Sequence, residues 1–350
     1  MTESAADPLT TKLPAGFDVL AEDLALANEV SEALTQVEAD LLGSLTSADE
    51  LVNASARYLA QAGGKRVRPL LTVLTSMIGE GVDDRVRRAA AVMEMTHLAT
   101  LYHDDVMDSA PVRRGAPAAH QVWGNSVAIL TGDLILARAS RLMSELGVEA
   151  SKIQAQTFER LVMGQLHETV GPQEGEDAYA HYLRVIGDKT GSLVAAASRL
   201  GAHFGGCSEE TIAMLEEYGE AVGVAFQLAD DVIDLTADPE SSGKTPGTDL
   251  REGVSTLPVL MLRQHAQSAE SEQDQQEAAR VLALIDGDLS SDAALAEAVV
   301  AVVAHPVTEE SWQVAHSWAD KAKAAITELP QSTVKSALLA FADAVVEREG

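Results

Sequence analysis

The sequence predicts an all-α protein, a single large helical bundle, and three observations carry that prediction. Hydrophobic residues fill 46% of the 350 positions but aromatic residues only 4%, so the core must be built from Ala, Leu, Val, Ile and Met, which suits closely packed helices. Apolar residues recur every three or four positions along most of the chain. No convincing period-two alternation appears.

Residues 1–16, with two prolines and no periodicity, read as a flexible leader, and residues 17–350 as one all-helical domain. From Phe17 the series Val19, Leu20, Leu24, Ala27, Val30, Leu34, Val37, Leu41 predicts a long first helix. Further helices are predicted over 47–62, 68–79, 84–108, 126–146, 149–169, 177–205 and 209–236, then over 255–265, 273–286, 292–304, 308–328 and 332–347. Polar stretches interrupt them at 171–177, 238–253 and 264–276. The second holds three glycines and two prolines directly after an acidic cluster and reads as a lid.

Asp and Glu number 54 against 25 Lys and Arg, a formal charge of -29 that repels nucleic acid and anionic membranes. Any anionic ligand needs a local basic or metal-filled pocket. Cys207 is the only cysteine, which excludes an intrachain disulfide and fits a reducing compartment, the cytoplasm. The chain carries no signal-like start and no apolar run of spanning length, so stable membrane insertion is not expected.

The chemistry concentrates in two acidic clusters. In His103-Asp104-Asp105-Val106-Met107-Asp108 the outer carboxylates are four residues apart, on one face of a helix where like charges repel. Ala229-Asp230-Asp231-Val232-Ile233-Asp234 repeats the pattern inside an otherwise apolar helix. One such cluster is usually a solvated helix face. Two in apolar helices point to a cation, and hard oxygen donors without Cys suit magnesium with water and phosphate oxygens.

Together with Gly63-Gly64-Lys65-Arg66-Val67-Arg68-Pro69, Arg113-Arg114-Gly115 and Gly187-Asp188-Lys189-Thr190-Gly191, the clusters run in the order of a known family. The sequence resembles the trans-isoprenyl diphosphate synthases of the long-chain all-trans type. The resemblance implies the isoprenoid synthase bundle with its active-site cavity at the bundle centre, a homodimer, and magnesium, about three ions with substrate bound. It makes Asp104, Asp108 and Asp230 the metal ligands and, with Lys189, the catalytic set, while Asp105, Asp231 and Asp234 orient them or act through water. Lys65, Arg68, His97 and Arg114 would bind isopentenyl diphosphate. Arg113, Lys189, Thr190, Gln227 and Lys244 would bind the allylic diphosphate. Val254 stands where many relatives carry a second lysine, which leaves Lys244 with more of the task. The implied reaction is ionisation of the allylic diphosphate, attack by the isopentenyl double bond and loss of a proton, with the released diphosphate as base. No protein nucleophile is required.

Product length depends on the side chains one turn before Asp104. Short-chain relatives place an aromatic residue there, whereas this chain has Ala99 and Thr100, which points to a longer product. With about 15 helical residues, roughly 22 Å, between Asp84 and Ala99, the expected product is about C35 to C45, possible floors being Met93, Met95, Ile135, Leu136 or Met163, and a quinone side chain one use. A farnesyl or geranylgeranyl diphosphate synthase is the nearest alternative. A class I terpene cyclase is disfavoured by the second Asp-rich cluster, a noncatalytic subunit by the intact motifs, and a simple magnesium-binding protein by the basic set.

Overall fold

The computed structural model describes residues 16–236, 245–269 and 271–347. After a 3₁₀ turn at Asp18–Glu22 come α1 (Leu24–Leu45), α2 (Glu50–Gln61), α3 (Val67–Ser76) and α4 (Asp84–Met107). A two-strand hairpin, β1 (Val112–Arg113) and β2 (Ala116–Pro117), leads through α5 (Ala119–Trp123) to α6 (Asn125–Glu145) and α7 (Val148–Val170). Helix α8 (Ala178–Ile186) continues through a π turn, Gly187–Gly191, into α9 (Ser192–Phe204) and then α10 (Glu209–Thr236). The chain ends with α11 (Thr248–Glu252), α12 (Leu257–Ser268), α13 (Glu272–Ile285), α14 (Asp292–Ala304), α15 (Val307–Ala325) and α16 (Thr333–Glu347).

Short acidic or hydroxyl side chains start many of these helices. Asp23, Asp49, Asp83, Asp177, Ser271 and Ser291 each accept a backbone N–H from the first turn, satisfying donors that the helix itself cannot. The two helices bearing the acidic clusters pack into the core beside α3 and α9, which are buried over most of their length. Helix α4 is buried from Val86 to Tyr102 on most of its faces and packs on α6, α3, α9 and α1, while α10 packs on α9 and α15. Helices α4 and α6 run antiparallel, since His103 lies against Gly132 and Arg88 approaches Glu145. A second apolar cluster, including Leu235, Leu250, Leu262, Val281 and Val302, joins the end of α10 to α11 through α14.

The helical architecture agrees with the sequence expectation, with local differences. The helix expected over 68–79 stops at Ser76, because a Cβ at Gly79 would sit 2.0 Å from the Gly205 carbonyl and the chain must turn there. The span 177–205 is interrupted by the π turn, and the hairpin and α5 were not anticipated. Of the expected lid, residues 238–244 lie outside the described residues, and α11 occupies much of the remainder. Among the described residues no helix is long and apolar enough to cross a membrane.

Candidate active site

The basic loop between α2 and α3 divides the labour of its three cations. Lys65 is exposed. Arg66 instead turns back: its Nε and Nη2 donate to Glu38 at 2.8 and 3.0 Å, its Nη1 to Glu94 at 2.8 Å, and its Nη2 to the Ala60 carbonyl at 2.8 Å. Arg66 and Arg114 both adopt left-handed backbone conformations, φ 50° and 54°, each of which costs about 1–3 kcal/mol and needs outside support. Glu94, only 2% exposed, gives it to both, lying 3.6 Å from Arg114 Nη2. Arg114 Nη1 donates to the Leu59 and Gly63 carbonyls. Gly64 admits this arrangement, since a Cβ there would lie 2.9 Å from the Arg114 guanidinium carbon.

Arg68, His97 and Arg114 gather beside Glu94. Burial holds the Arg68 and Arg114 guanidinium pKa values below their ordinary range, against the attraction of Glu94. Arg68 Nε is buried and has no hydrogen-bond partner among the described residues. Burial and then the charges of Arg68, Arg114, Arg113 and Arg66 hold His97 well below the usual imidazole range, so it is neutral at physiological pH.

The first acidic cluster closes α4. Asp108 is exposed and Asp104 half-buried, its carboxyl pushed up to about 6 by burial, with Lys189 opposing and Asp108 adding to the rise. Asp105 points the other way, fully buried, and accepts Arg113 Nε at 2.6 Å through Oδ1 while its buried Oδ2 has no hydrogen-bond partner among the described residues. Arg113 is therefore engaged with an aspartate in this conformation.

In the second cluster Asp231 is again the inward residue. It accepts hydrogen bonds from the Tyr182 hydroxyl, from Gln227 Nε2 at 3.3 Å and from the Leu257 N–H at 3.2 Å. Burial still pushes its carboxyl up to about 6. Gln227 Oε1 accepts Thr190 Oγ1 at 3.2 Å. Asp230 and Asp234 are half-buried, and Asp234 Oδ2 accepts the Asp249 N–H at 3.2 Å. Lys244 lies outside the described residues.

The π turn joins the two clusters. Its Lys189 donates to Glu168 on α7 and is close enough to Asp104 to lower that carboxyl, while Thr190 reaches Asp231 through Gln227. Ala99 and Thr100 are buried on α4 below Asp104, together with Met93, Met95 and Ile135. Met163 is 42% exposed on the outside of α7, which removes it as a floor within the bundle.

Sequence reasoning did not find Glu94, Glu168, Tyr182 or Asp249. Asp249 is carried up to about 7 by burial and by Asp234, Asp231, Glu252 and Asp230. Only its polar stretch after a cluster marked it beforehand. Among the described residues no three Cys, His, Asp or Glu side chains form a ready-made metal site. The donor set nevertheless fits magnesium: it is carboxylate oxygen throughout, and the raised Asp104 and Asp249 carboxyls would be relieved by a cation.

The profile of the polyprenyl synthetase family matches residues 49–299. The nonaprenyl diphosphate synthase of Mycobacterium tuberculosis is 46% identical over 338 residues, covering 96% of this chain and 98% of its own. A polyprenyl synthase from Caulobacter crescentus, crystallised with calcium and isoprenyl diphosphate, superimposes with a TM-score of 0.83 at 32% identity, over 96% of this chain and 99% of that one. Geranylgeranyl pyrophosphate synthase from Corynebacterium glutamicum, with the same ligands, gives 0.82 at 41% identity, over 94% and 98%. With a family match across most of the chain and a relative this similar over nearly its full length, the chain belongs to the polyprenyl synthetase family.

Proposed function

We propose that the protein is a magnesium-dependent prenyltransferase that condenses isopentenyl diphosphate with an allylic diphosphate to make a long all-trans polyprenyl diphosphate, about C35 to C45. The π turn carries the reading. It sets Lys189 beside the first acidic cluster and Thr190 within a hydrogen-bonded chain to the second, so carboxylates and cations surround one space.

Lys65, Arg68, His97 and Arg114 bind the isopentenyl diphosphate, the neutral His97 ring donating a hydrogen bond rather than a charge. Arg113, Lys189, Thr190, Gln227 and Lys244 hold the allylic diphosphate. Asp104, Asp108 and Asp230 hold magnesium, about three ions with substrate bound, and Asp249 reaches the same layer through water. Magnesium, when bound, supplies positive charge that stabilises the departing diphosphate. Arg113 and Lys189 leave Asp105 and Glu168 for the diphosphate as it docks, exchanging one anionic partner for another. The released diphosphate then takes the proton. Residues from 17 onward act as one domain in the cytoplasm.

A nonaprenyl diphosphate synthase is 46% identical to this chain and a geranylgeranyl pyrophosphate synthase 41%, and the buried, small side chains of Ala99 and Thr100 support the longer product. Geranylgeranyl diphosphate supplied with labelled isopentenyl diphosphate to the purified chain should give dephosphorylated products near C35 to C45. Extension of dimethylallyl diphosphate that stops at C15 or C20 sinks the long-chain reading, and no turnover of either primer without a second protein favours the subunit reading. Ala99→Phe should shorten the product.

We also propose a homodimer. Helices α6 and α7 form an antiparallel hairpin about Gly147, which brings Ile129 and Leu130 opposite Met163 and Leu166, all exposed, Leu130 by 66% and Leu166 by 52%. An exposed apolar stripe of this kind calls for a partner, whereas the outer face of α1 is polar. Leu130→Glu with Leu166→Glu should convert a dimer into a monomer in light scattering, and a wild-type monomer would refute the proposal.

A further inference from the structure

A π turn is less regular than the helix around it and survives only where its surroundings hold it. Three contacts do so at Gly187–Gly191. Ser192 Oγ donates to the Asp188 carbonyl at 2.5 Å, satisfying an acceptor in the widened turn. Gly164 lets α7 seat directly against the turn, since a Cβ there would lie 2.7 Å from the Lys189 nitrogen. The third contact is ionic. Arg160, one turn before Gly164 on α7, donates from Nε to Asp188 Oδ1 at 2.9 Å and from its two Nη atoms to both oxygens of Glu220 on α10, at 3.1 and 2.9 Å.

We propose that Arg160 is a positioning residue for the allylic half of the site, joining Asp188 of the π turn to Glu220 of α10 and so fixing Lys189 and Thr190 against Gln227. The inference rests on the assignment of those three residues to the allylic diphosphate. Arg160 and Glu168 are eight residues apart on α7, and Glu220 and Gln227 seven apart on α10, or roughly 10–12 Å along each helix. The ion network thus lies about two turns below the ligand layer on both helices, and the π turn spans between them. Arg160 does not reach the substrate.

The side chain suits this task because a guanidinium presents a rigid fork. Two nitrogens satisfy Glu220 while the third holds Asp188, an arrangement that the single ammonium of lysine cannot reproduce. Arg160 also neutralises Asp188. Without it, that carboxylate would add repulsion one residue from Lys189. The group is partly exposed, 41% for the Arg160 side chain, so its effect should fall on substrate geometry more than on global stability.

The test uses the full-length protein with magnesium and measures KM for each substrate, kcat, binding of inorganic diphosphate by calorimetry, and thermal midpoint. Arg160→Met should raise the allylic KM about 10-fold and weaken diphosphate binding similarly, while the isopentenyl diphosphate KM stays within about 2-fold. Arg160→Lys should recover only part of the loss. Adding Asp188→Asn to Arg160→Met should recover the repulsive part. An unchanged allylic KM, or equal increases in both KM values, would overturn the proposal in favour of a plain structural strut. Should Arg160→Met fail to fold, Glu220→Gln supplies the same ratio test with a smaller expected shift. Lys189→Ala tests the underlying assignment separately: if it leaves the allylic KM unchanged, the site reading fails whatever Arg160 does.

Discussion

The two acidic clusters share a sequence pattern but not an anchor. In both, the second aspartate turns inward, yet Asp105 is held by the charged Arg113, half-exposed and itself assigned to substrate, whereas Asp231 is held by a tyrosine hydroxyl, an amide and a backbone N–H. The first arrangement can be exchanged when a diphosphate arrives. The second is built, among the described residues, from neutral donors. Identical motifs thus provide one switchable wall and one neutrally anchored.

The severest way to probe this comparison is to remove an outward carboxylate from each wall. Asp104→Ala and Asp230→Ala should each cut incorporation of labelled isopentenyl diphosphate by about 10³-fold or more, with circular dichroism unchanged. A loss below about 10-fold in either would break the proposed equivalence of the walls.

Next in size is Tyr182→Phe, which deprives the buried Asp231 of its hydroxyl donor. It should lower stability by about 1–3 kcal/mol in urea unfolding, because a buried carboxylate loses a hydrogen bond that the solvent cannot replace. A neutral result would show that the second wall is as adaptable as the first.

The smallest effect concerns protons. The Asp104 and Asp231 carboxyls near 6 and the Asp249 carboxyl near 7 bind protons in the folded state that the unfolded chain, near 3.8, does not. Stability of the metal-free protein should therefore rise as pH falls from about 7.5 toward 6, by on the order of 1 kcal/mol. His97, held well below 6.5, binds fewer protons when folded and acts in the opposite direction as pH falls through 6.5, offsetting part of this rise. Asp249→Asn should stabilise the metal-free protein at pH 7.5 and flatten the upper part of this profile, and magnesium with inorganic diphosphate should do likewise. A profile that falls on acidification from 7.5 would contradict the assignment.

What could be read from the sequence follows the range of the interactions involved. The helices, their Asp and Ser starts, and the same-face pairs Asp104/Asp108 and Asp230/Asp234 depend on residues within one or two turns, so spacing reveals them. The sequence of the π turn reads as ordinary helix because the ionic contacts that hold it come from Arg160 on α7 and Glu220 on α10, 28 and 32 residues from Asp188 along the chain. Glu94 read as one more helix carboxylate, since its arginine partners lie 28 and 20 residues off in sequence. The resemblance takes Lys65 and Arg68 as ligands and leaves Arg66 without a role, and only its packing against Glu38 and Glu94 identifies Arg66 as a brace.

Glu94 also constrains how the isopentenyl site can change over time. One carboxylate supports two arginines in unfavourable backbone conformations and lies within reach of a third cation, Arg68. Exchanging it alone strands positive charge in the interior, and exchanging either brace alone leaves the carboxylate under-compensated. These positions can drift only as a set, so a chimera that takes the α2–α3 loop from one relative and α4 from another should fail unless Arg66, Glu94 and Arg114 travel together.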